Sequence, residues 1–227
     1  MQKKFLVDKC VTFVVKYIKS IIFGGNVMKY YVNRVESDNI FIDDPVWSEI
    51  EDIKIDCCPW EANKTDIKTT AKVVYCEKGL IVRFETDERP LRAVITEDQG
   101  PVCTDSCVEF FFRREDSNNY INIEINPLGV MLMGNMEKGR KAIMVNFSHD
   151  ELKTTSRINS KTWAVQYMVP FSLIEREIGM LGEKFRANFY KCGELTRHQH
   201  YACWNPILVE NSNFHLPEFF GEMIFKK

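Results

Sequence analysis

Two glutamates, Glu109 and Glu124, occupy matching positions on two segments that alternate apolar and polar side chains. Residues 107–112 and 120–126 show the two-residue period of a β-strand, and the polar residues 113–119 between them predict a turn. In the register that keeps the apolar side chains together, Glu109 lies directly opposite Glu124 on the other face. Like charges facing each other across a ladder are destabilising, so an arginine, a metal ion or a ligand rich in hydroxyl groups must compensate them.

An ordinary solvated face is the alternative interpretation, because an antiparallel sheet commonly exposes one polar face. A second segment of the same character favours a binding function. Within residues 185–190, Ala187 and Phe189 alternate with Arg186, Asn188 and Tyr190. Carboxylate, carboxamide and guanidinium groups beside aromatic rings suit sugar hydroxyls, because each hydroxyl both donates and accepts a hydrogen bond.

The chain also resembles a known family. Residues 105–112 read DSCVEFFF and residues 120–129 read YINIEINPLG, which is similar to the central motif of family 9 carbohydrate-binding modules. Further stretches that fit are LRA at 91–93, RANFYKCG at 186–193, HYACW at 200–204 and NFHLPEFFG at 213–221. The resemblance spans about residues 30–227.

That resemblance implies a β-sandwich that binds mono-, oligo- or polysaccharides without cleaving them and serves carbohydrate catabolism. It also implies structural calcium ions and two aromatic rings that clamp a terminal sugar. Trp204 best matches one ring, and no second Trp matches the other. Arg92 is carried over from the family pattern and is expected to place charge near the glutamates. The expected carbohydrate-binding residues are Arg92, Glu109, Glu124, Asn126, Arg186, Asn188, Tyr190 and Trp204.

The remaining patterns agree with an all-β sandwich or jelly roll of antiparallel strands with few short helices. Residues 80–86 and 163–169 alternate like strands, and residues 170–179 predict a short helix or turn that ends at Gly179. Trp163 is expected in the core with its strand. Trp47 and Trp60 are interpreted as packing residues rather than ligand platforms.

Length and charge predict one domain over residues 28–227. The chain has 30 Lys and Arg residues against 32 Asp and Glu residues, for a formal net charge of −2. The basic residues are dispersed along the chain, which argues against nucleic-acid binding. No repeat or Pro-rich linker divides residues 30–227.

Residues 1–27 differ from the rest. Residues 5–23 are strongly apolar, but charged residues interrupt them too often for a transmembrane span or a signal peptide. Helical spacing gathers the polar residues on one side, so the segment is interpreted as a helix-like extension. It could dock on the domain, lie on a membrane surface, or be upstream sequence ahead of a start at Met28; we favour the last interpretation.

The eight cysteines are interpreted as mostly buried thiols of a reduced, cytoplasmic protein, because no convincing export signal accompanies them. An extracellular location is the alternative. His198, His200 and Cys203 lie near Cys192 in sequence, but their spacing matches no standard zinc pattern. They are interpreted as packing or rim residues.

Two other functions compete with sugar binding. A glycoside hydrolase could use Glu109 and Glu124, because facing carboxyl groups could lie at the roughly 5–5.5 Å separation of retaining enzymes. Such an enzyme needs one carboxyl held protonated while its partner stays ionised, and the sequence shows no such asymmetry.

The third candidate is a protein-interaction sandwich. An exposed Trp204 beside Glu124 would favour sugar binding, and a buried Trp204 would favour protein interaction.

Overall fold

The computed structural model describes residues 27–137 and 140–227, so the interpretation of residues 1–26 lies outside the described residues. The strands are β1 (Lys29–Arg34), β2 (Ile53–Lys54), β3 (Thr69–Tyr75), β4 (Gly79–Thr86), β5 (Cys107–Arg114), β6 (Tyr120–Ile125), β7 (Met131–Met136), β8 (Ile143–Met144), β9 (Thr155–Ile158), β10 (Trp163–Pro170), β11 (Lys184–Gly193), β12 (His200–Cys203) and β13 (Gly221–Phe225). The α-helices are α1 (His149–Leu152) and α2 (Phe171–Ile178), and 3-10 turns occur at Pro45–Glu49, Glu61–Asn63, Val102–Thr104 and Pro217–Phe219.

The strands form two layers that share β1. The front layer has the order β8-β7-β6-β5-β11-β13-β1, with β12 also pairing with β11. The back layer has the order β1-β3-β4-β10-β9, with β2 pairing with β3. Strand β1 pairs with β13 through Lys29–Val32 and with β3 through Asn33 and Arg34. The predicted all-β fold is confirmed, although both pairings of β1 are parallel rather than antiparallel.

The main core lies between the two layers. Val108, Phe110 and Phe112 of β5 and Phe189 of β11 supply its front wall, while Phe84 of β4 belongs to its back wall. Phe110 stacks on Phe189 with ring centroids 4.8 Å apart and an interplanar angle of 20°. Trp163 is fully buried in the same core, as the sequence predicted.

The hairpin of β5 and β6 has the predicted register. Val108 pairs with Ile125, Phe110 with Ile123 and Phe112 with Ile121, so one face is continuously apolar. Burial of that face specifies the register, because a one-residue slip would reverse which side chains face the core. Glu109 therefore stands directly opposite Glu124 on the other face.

The outer face of the front layer is not the ordinary solvated face of the alternative interpretation. A second apolar cluster covers it. Phe111 and Tyr190 project outward from the strands and pack against Trp60, Ile207 and Phe220, which come from distant parts of the chain. We call residues 204–220 the covering segment, because it supplies much of this outer cluster. Its apolar side chains enclose the polar groups of the strands instead of leaving them to water.

The short helix predicted after residue 170 is α2, and it ends before Gly179 as expected. Gly179 has φ +83°, a conformation that glycine adopts without steric cost. Leu173, Ile174 and Ile178 on one side of the helix are buried. No helix among residues 27–137 and 140–227 is long and apolar enough to cross a membrane.

Candidate functional site

Glu109 and Glu124 are both buried. Their side chains are 3% and 7% exposed, respectively. One carboxylate oxygen of Glu109 accepts a hydrogen bond from the Cys192 thiol at 3.0 Å. The Asn122 amide donates to Glu124 Oε1 at 3.0 Å, while Glu124 Oε2 is buried without a hydrogen-bond partner.

Burial strongly favours the neutral form of both carboxyl groups. It is the largest cause that raises the pKa of Glu109 well above its usual range, and the nearby charge of Glu124 raises it further. Burial also raises the pKa of Glu124 to about 7, against the opposing effect of the Asn122 amide. At neutral pH the pair therefore carries fewer than two negative charges, and a protonated carboxyl can donate as well as accept.

These glutamates form the floor of a pocket of about 250 Å³. Its lining residues are Trp60, Cys103, Glu109, Glu124, Cys192, Glu194, Tyr201, Ser212, Asn213, Phe214 and His215. None of these side chains is Lys or Arg. The pocket is therefore acidic, and a neutral ligand rich in hydroxyls or a cation fits it better than an anion does.

Three aromatic rings border the pocket above the glutamates. Trp60 and Phe214 have centroids 5.8 Å apart, and Tyr201 meets Phe214 edge-on at 5.7 Å. Phe214 is also stacked on Tyr190 at 4.1 Å with an interplanar angle of 12°. The Trp60 indole N–H donates to the Val209 carbonyl at 3.0 Å, which anchors that ring to the covering segment. The pocket thus combines apolar walls with an acidic floor.

Arg92 is not placed as expected. Its guanidinium pairs with the fully buried carboxylate of Asp105 rather than with either glutamate. Asn126 belongs to the same network, because its amide donates to Asp105 Oδ2 at 3.0 Å and to the Ile95 carbonyl at 2.9 Å. The Asn126 side-chain oxygen accepts two backbone N–H groups of the following turn. These contacts occupy the Asn126 side chain and give it a structural role.

Three further predicted binding residues also lie away from the pocket opening. Arg186 binds Glu115 through two hydrogen bonds of 2.8 and 2.9 Å. Asn188 is fully buried, and its amide donates to the Asn205 carbonyl at 2.9 Å. Tyr190 is also fully buried and supports the pocket indirectly, because its ring stacks beneath Phe214 and its hydroxyl donates to the Phe214 carbonyl at 3.2 Å. A direct contact of these residues with sugar stays a prediction that the geometry does not favour.

Trp204 is a core residue rather than an exposed platform, which corrects the sequence-based expectation. Its side chain is 5% exposed and meets Phe189 at a centroid distance of 5.7 Å. Gly221 lies so close that a Cβ atom there would stand 2.4 Å from the indole ring. The indole is thus enclosed by the sandwich, and it offers no face to a ligand.

One group of potential metal ligands includes two residues that line the pocket, Glu109 and Cys192. Within the described ranges, Cys107, Glu109 and Cys192 are the three residues whose ligand atoms lie within 4.8 Å of one another, and all three are buried. Calcium takes six to eight oxygen ligands, so a set with two thiols does not fit it. Structural calcium stays a prediction of the family resemblance. His200, by contrast, is buried against Lys191.

Sequence reasoning missed most of the pocket wall. Trp60 is buried in the outer cluster, in agreement with its interpretation as a packing residue, but its place at the pocket was not predicted. Tyr201 and Phe214 were noticed only as parts of family motifs. The polar sequence Ser212-Asn213 beside Phe214 was one available signal, because it marks a loop that carries a half-buried aromatic residue. Nothing local to residues 57–60 indicates that Trp60 meets the covering segment.

Comparisons with known proteins agree with this fold. The model of carbohydrate-binding family 9 matches residues 45–225. A proposed carbohydrate-binding protein from Bacteroides uniformis has a TM-score of 0.78 at 25% identity, over 88% of this chain and 100% of that one. A family 9 module from Caldicellulosiruptor kristjanssonii in complex with glucose has a TM-score of 0.60 at 14% identity, over 88% and 96%. The same organism's module with cellotriose has a TM-score of 0.59 at 13% identity, over 88% and 94%. No curated protein matches the chain in sequence.

The two-layered β fold and the family match define a carbohydrate-binding protein of the sandwich type. The family match extends over most of the chain, so the chain belongs to carbohydrate-binding family 9. Carbohydrate binding without catalysis is the activity of that family, and a saccharide is the partner of this chain.

Proposed function

We propose that the pocket above Glu109 and Glu124 binds one terminal unit of a neutral saccharide. The two carboxyl groups would bind neighbouring hydroxyls of the sugar, and Phe214 with Tyr201 would cover an apolar face of its ring. The observation that carries this proposal is the pair of buried carboxyl groups at the floor of a pocket with aromatic walls.

The charge of the pocket supports a neutral ligand. Glu109, Glu124 and Glu194 line it without a Lys or Arg side chain, so a uronic acid or a sugar phosphate would meet repulsion. The small volume supports a single unit, because about 250 Å³ lies below the roughly 300–1,000 Å³ of most small-molecule sites. Glucose and cellotriose are suitable first probes, since they are bound in the two Caldicellulosiruptor structures.

We also propose that the chain has no glycosidase activity. A retaining or inverting enzyme places its two carboxyl groups on either side of the scissile bond. Glu109 and Glu124 instead project side by side from adjacent strands of one sheet face. One oxygen of Glu109 is also occupied by the Cys192 thiol. Incubation with aryl glycosides and oligosaccharides should give no product, and turnover that Glu124→Gln abolishes would establish the enzyme.

Isothermal titration with glucose, cellotriose and the best ligand from a glycan array tests the binding site. Glu124→Gln should weaken binding by about 0.5–1.5 kcal/mol, because a hydrogen bond between the carboxyl group and a sugar hydroxyl is lost or weakened. Phe214→Ala should weaken it by about 1–3 kcal/mol, as for an aromatic residue at a binding hot spot. Glu210→Gln is the matched control, since that exposed carboxylate lies on the covering segment outside the pocket. Equal affinities in the wild type and both pocket variants would exclude this pocket as the sugar site.

The biological setting is a separate proposal. We propose that sugar binding serves carbohydrate catabolism in the cytoplasm. The seven described cysteines are all free thiols, which is typical of a reducing compartment. Cell fractionation would test the location, and recovery of the protein mainly outside the cell would contradict it.

A further inference from the structure

Two residues that line the pocket, Glu109 and Cys192, form a second set of chemical groups together with the fully buried Cys107. Cys107 and Glu109 are two residues apart on β5, so their side chains project from the same face. Cys192 on β11 stands directly opposite Cys107. The two thiol sulfurs and one Glu109 oxygen all lie within 4.8 Å of one another. All three groups lie on neighbouring strands in the middle of the front layer. The distances between the three side chains are therefore set by the sheet and not by a loop.

The spacing of these atoms suits tetrahedral coordination. With metal–sulfur bonds of about 2.3 Å, two thiolate ligands of one tetrahedral ion stand about 3.8 Å apart, inside the observed limit. Two thiolates and one carboxylate select a thiophilic ion such as zinc over calcium or magnesium, which prefer oxygen ligands alone. The set also differs from the neighbouring pair Cys57 and Cys203, because no carboxylate or histidine among the described residues joins that pair within the same distance.

An independent observation also points to a ligand at this floor. Glu124 lies directly opposite Glu109, and its Oε2 atom is buried without a hydrogen-bond partner. An unpaired buried carboxylate oxygen is costly unless a cation or a donor approaches it. No Lys or Arg side chain lines the pocket to do so. Cys192 and both glutamates line the open pocket, which gives an ion a route to the floor.

We propose that Cys107, Cys192 and Glu109 form a binding site for a thiophilic divalent cation, zinc in the cell, with one coordination position facing the pocket. The Cys192 thiol donates to the Glu109 carboxylate at 3.0 Å, and this hydrogen bond holds two of the ligands together. Binding replaces thiol protons by the ion and releases them to solvent. The inference does not depend on the identity of the sugar.

Cobalt and cadmium are the probes, because thiolate ligation gives both ions strong charge-transfer absorption. The reduced full-length protein, stripped of metal, should develop this absorption with one equivalent of ion, release protons, and lose the bound ion to excess zinc. Cys107→Ala and Cys192→Ala should each weaken binding at least a hundredfold, and Glu109→Gln at least tenfold. Cys76→Ala is the matched control, since Cys76 is an equally buried thiol in the main core, and this variant should bind like the wild type.

Several results would overturn the proposal. These are a wild-type protein without thiolate-to-metal absorption, absorption that survives in the double variant Cys107→Ala/Cys192→Ala, or loss of absorption in Cys76→Ala. If the cysteine variants fail to fold, cobalt spectra of the wild type decide the matter, because they distinguish two sulfur ligands from none. Sugar titrations on metal-free and zinc-loaded protein separate the two proposals: unchanged sugar binding with no metal site would reject the inference and leave the sugar pocket standing.

Discussion

At the scale of single residues, aromatic side chains of similar appearance in the sequence have different roles. Trp204 is enclosed between Phe189 and Gly221, whereas Phe214 is half-buried at the pocket. Tryptophan at a family motif position suggested a ligand platform. The decisive property is burial, which depends on what the rest of the chain packs against that position and cannot be read from the motif.

We expect Trp204→Ala to destabilise the fold by about 3–5 kcal/mol, because removal of a buried indole leaves a cavity in the sandwich. Urea unfolding monitored by far-ultraviolet circular dichroism would measure the loss. Trp204→Phe is the control and should recover most of the stability. A variant that keeps its stability but loses sugar affinity would return Trp204 to the binding site.

At the scale of elements, the hairpin register was predictable, and the surroundings of its outer face were not. The period-two pattern of residues 107–112 and 120–126 is local, and burial of Phe110 with Ile123 leaves one register. By contrast, Cys192 meets Cys107 only because β11 is the neighbour of β5, and the covering segment reaches the pocket through contacts distant in sequence. No periodic pattern in the sequence indicates that Cys192 lies beside Cys107 or that the covering segment reaches the pocket. The pairing of Arg92 with Asp105 was missed for the same reason.

Strand β7 supports the glutamate pair from the side. Gly134 pairs with Asn122, and a Cβ atom at Gly134 would lie 2.6 Å from Asn122 Oδ1. Gly134→Ala should therefore displace the Asn122 amide that donates to Glu124, destabilising the fold by about 1–3 kcal/mol and weakening sugar binding. Calorimetry and urea unfolding would measure both effects. In an Asn122→Ala background the stability effect of Gly134→Ala should nearly vanish, and full additivity would argue against the contact.

Strand β12 carries a pH-sensitive group into the interior. His200 is 2% exposed and faces Lys191, Glu88 and the His198 backbone. Burial, followed by the nearby Lys191 charge, lowers the pKa of His200 to about 4. As the pH falls from about 6.5 towards 4, the unfolded chain binds a proton that the folded chain does not, so stability decreases by up to about 3 kcal/mol.

Urea unfolding at pH 7 and pH 4.5 would test this expectation. The decrease in unfolding free energy from pH 7 to pH 4.5 should be smaller for His200→Asn than for the wild type. Comparing the two proteins cancels the contributions of other titrating groups, including the buried glutamates. An identical decrease in unfolding free energy in the variant and the wild type would show that His200 does not cause the acid sensitivity.

At the scale of the whole molecule, the described core begins at Tyr30. Just before it, the Met28 N–H donates to Asn205 Oδ1 at 3.0 Å, and the Met28 carbonyl accepts from the Glu222 N–H at 2.8 Å. We expect a shortened chain that begins at Met28 to have the same melting midpoint as the full chain. A drop of many degrees would show that residues 1–27 add to the core, since each fully buried Val or Ile contributes roughly 1.5–3 kcal/mol.

The shared strand β1 has a consequence for how the molecule forms. It contacts both layers, and its partner in the front layer, β13, lies roughly 190 residues further along the chain. Pairings between such distant segments form slowly, because closing the long intervening loop costs conformational entropy before any stabilising contact is made. During synthesis on a ribosome, β3 and β4 can pair early, but the seam between the layers must wait for β13. The contacts that join the two layers through β1 and β13 are therefore among the last to form.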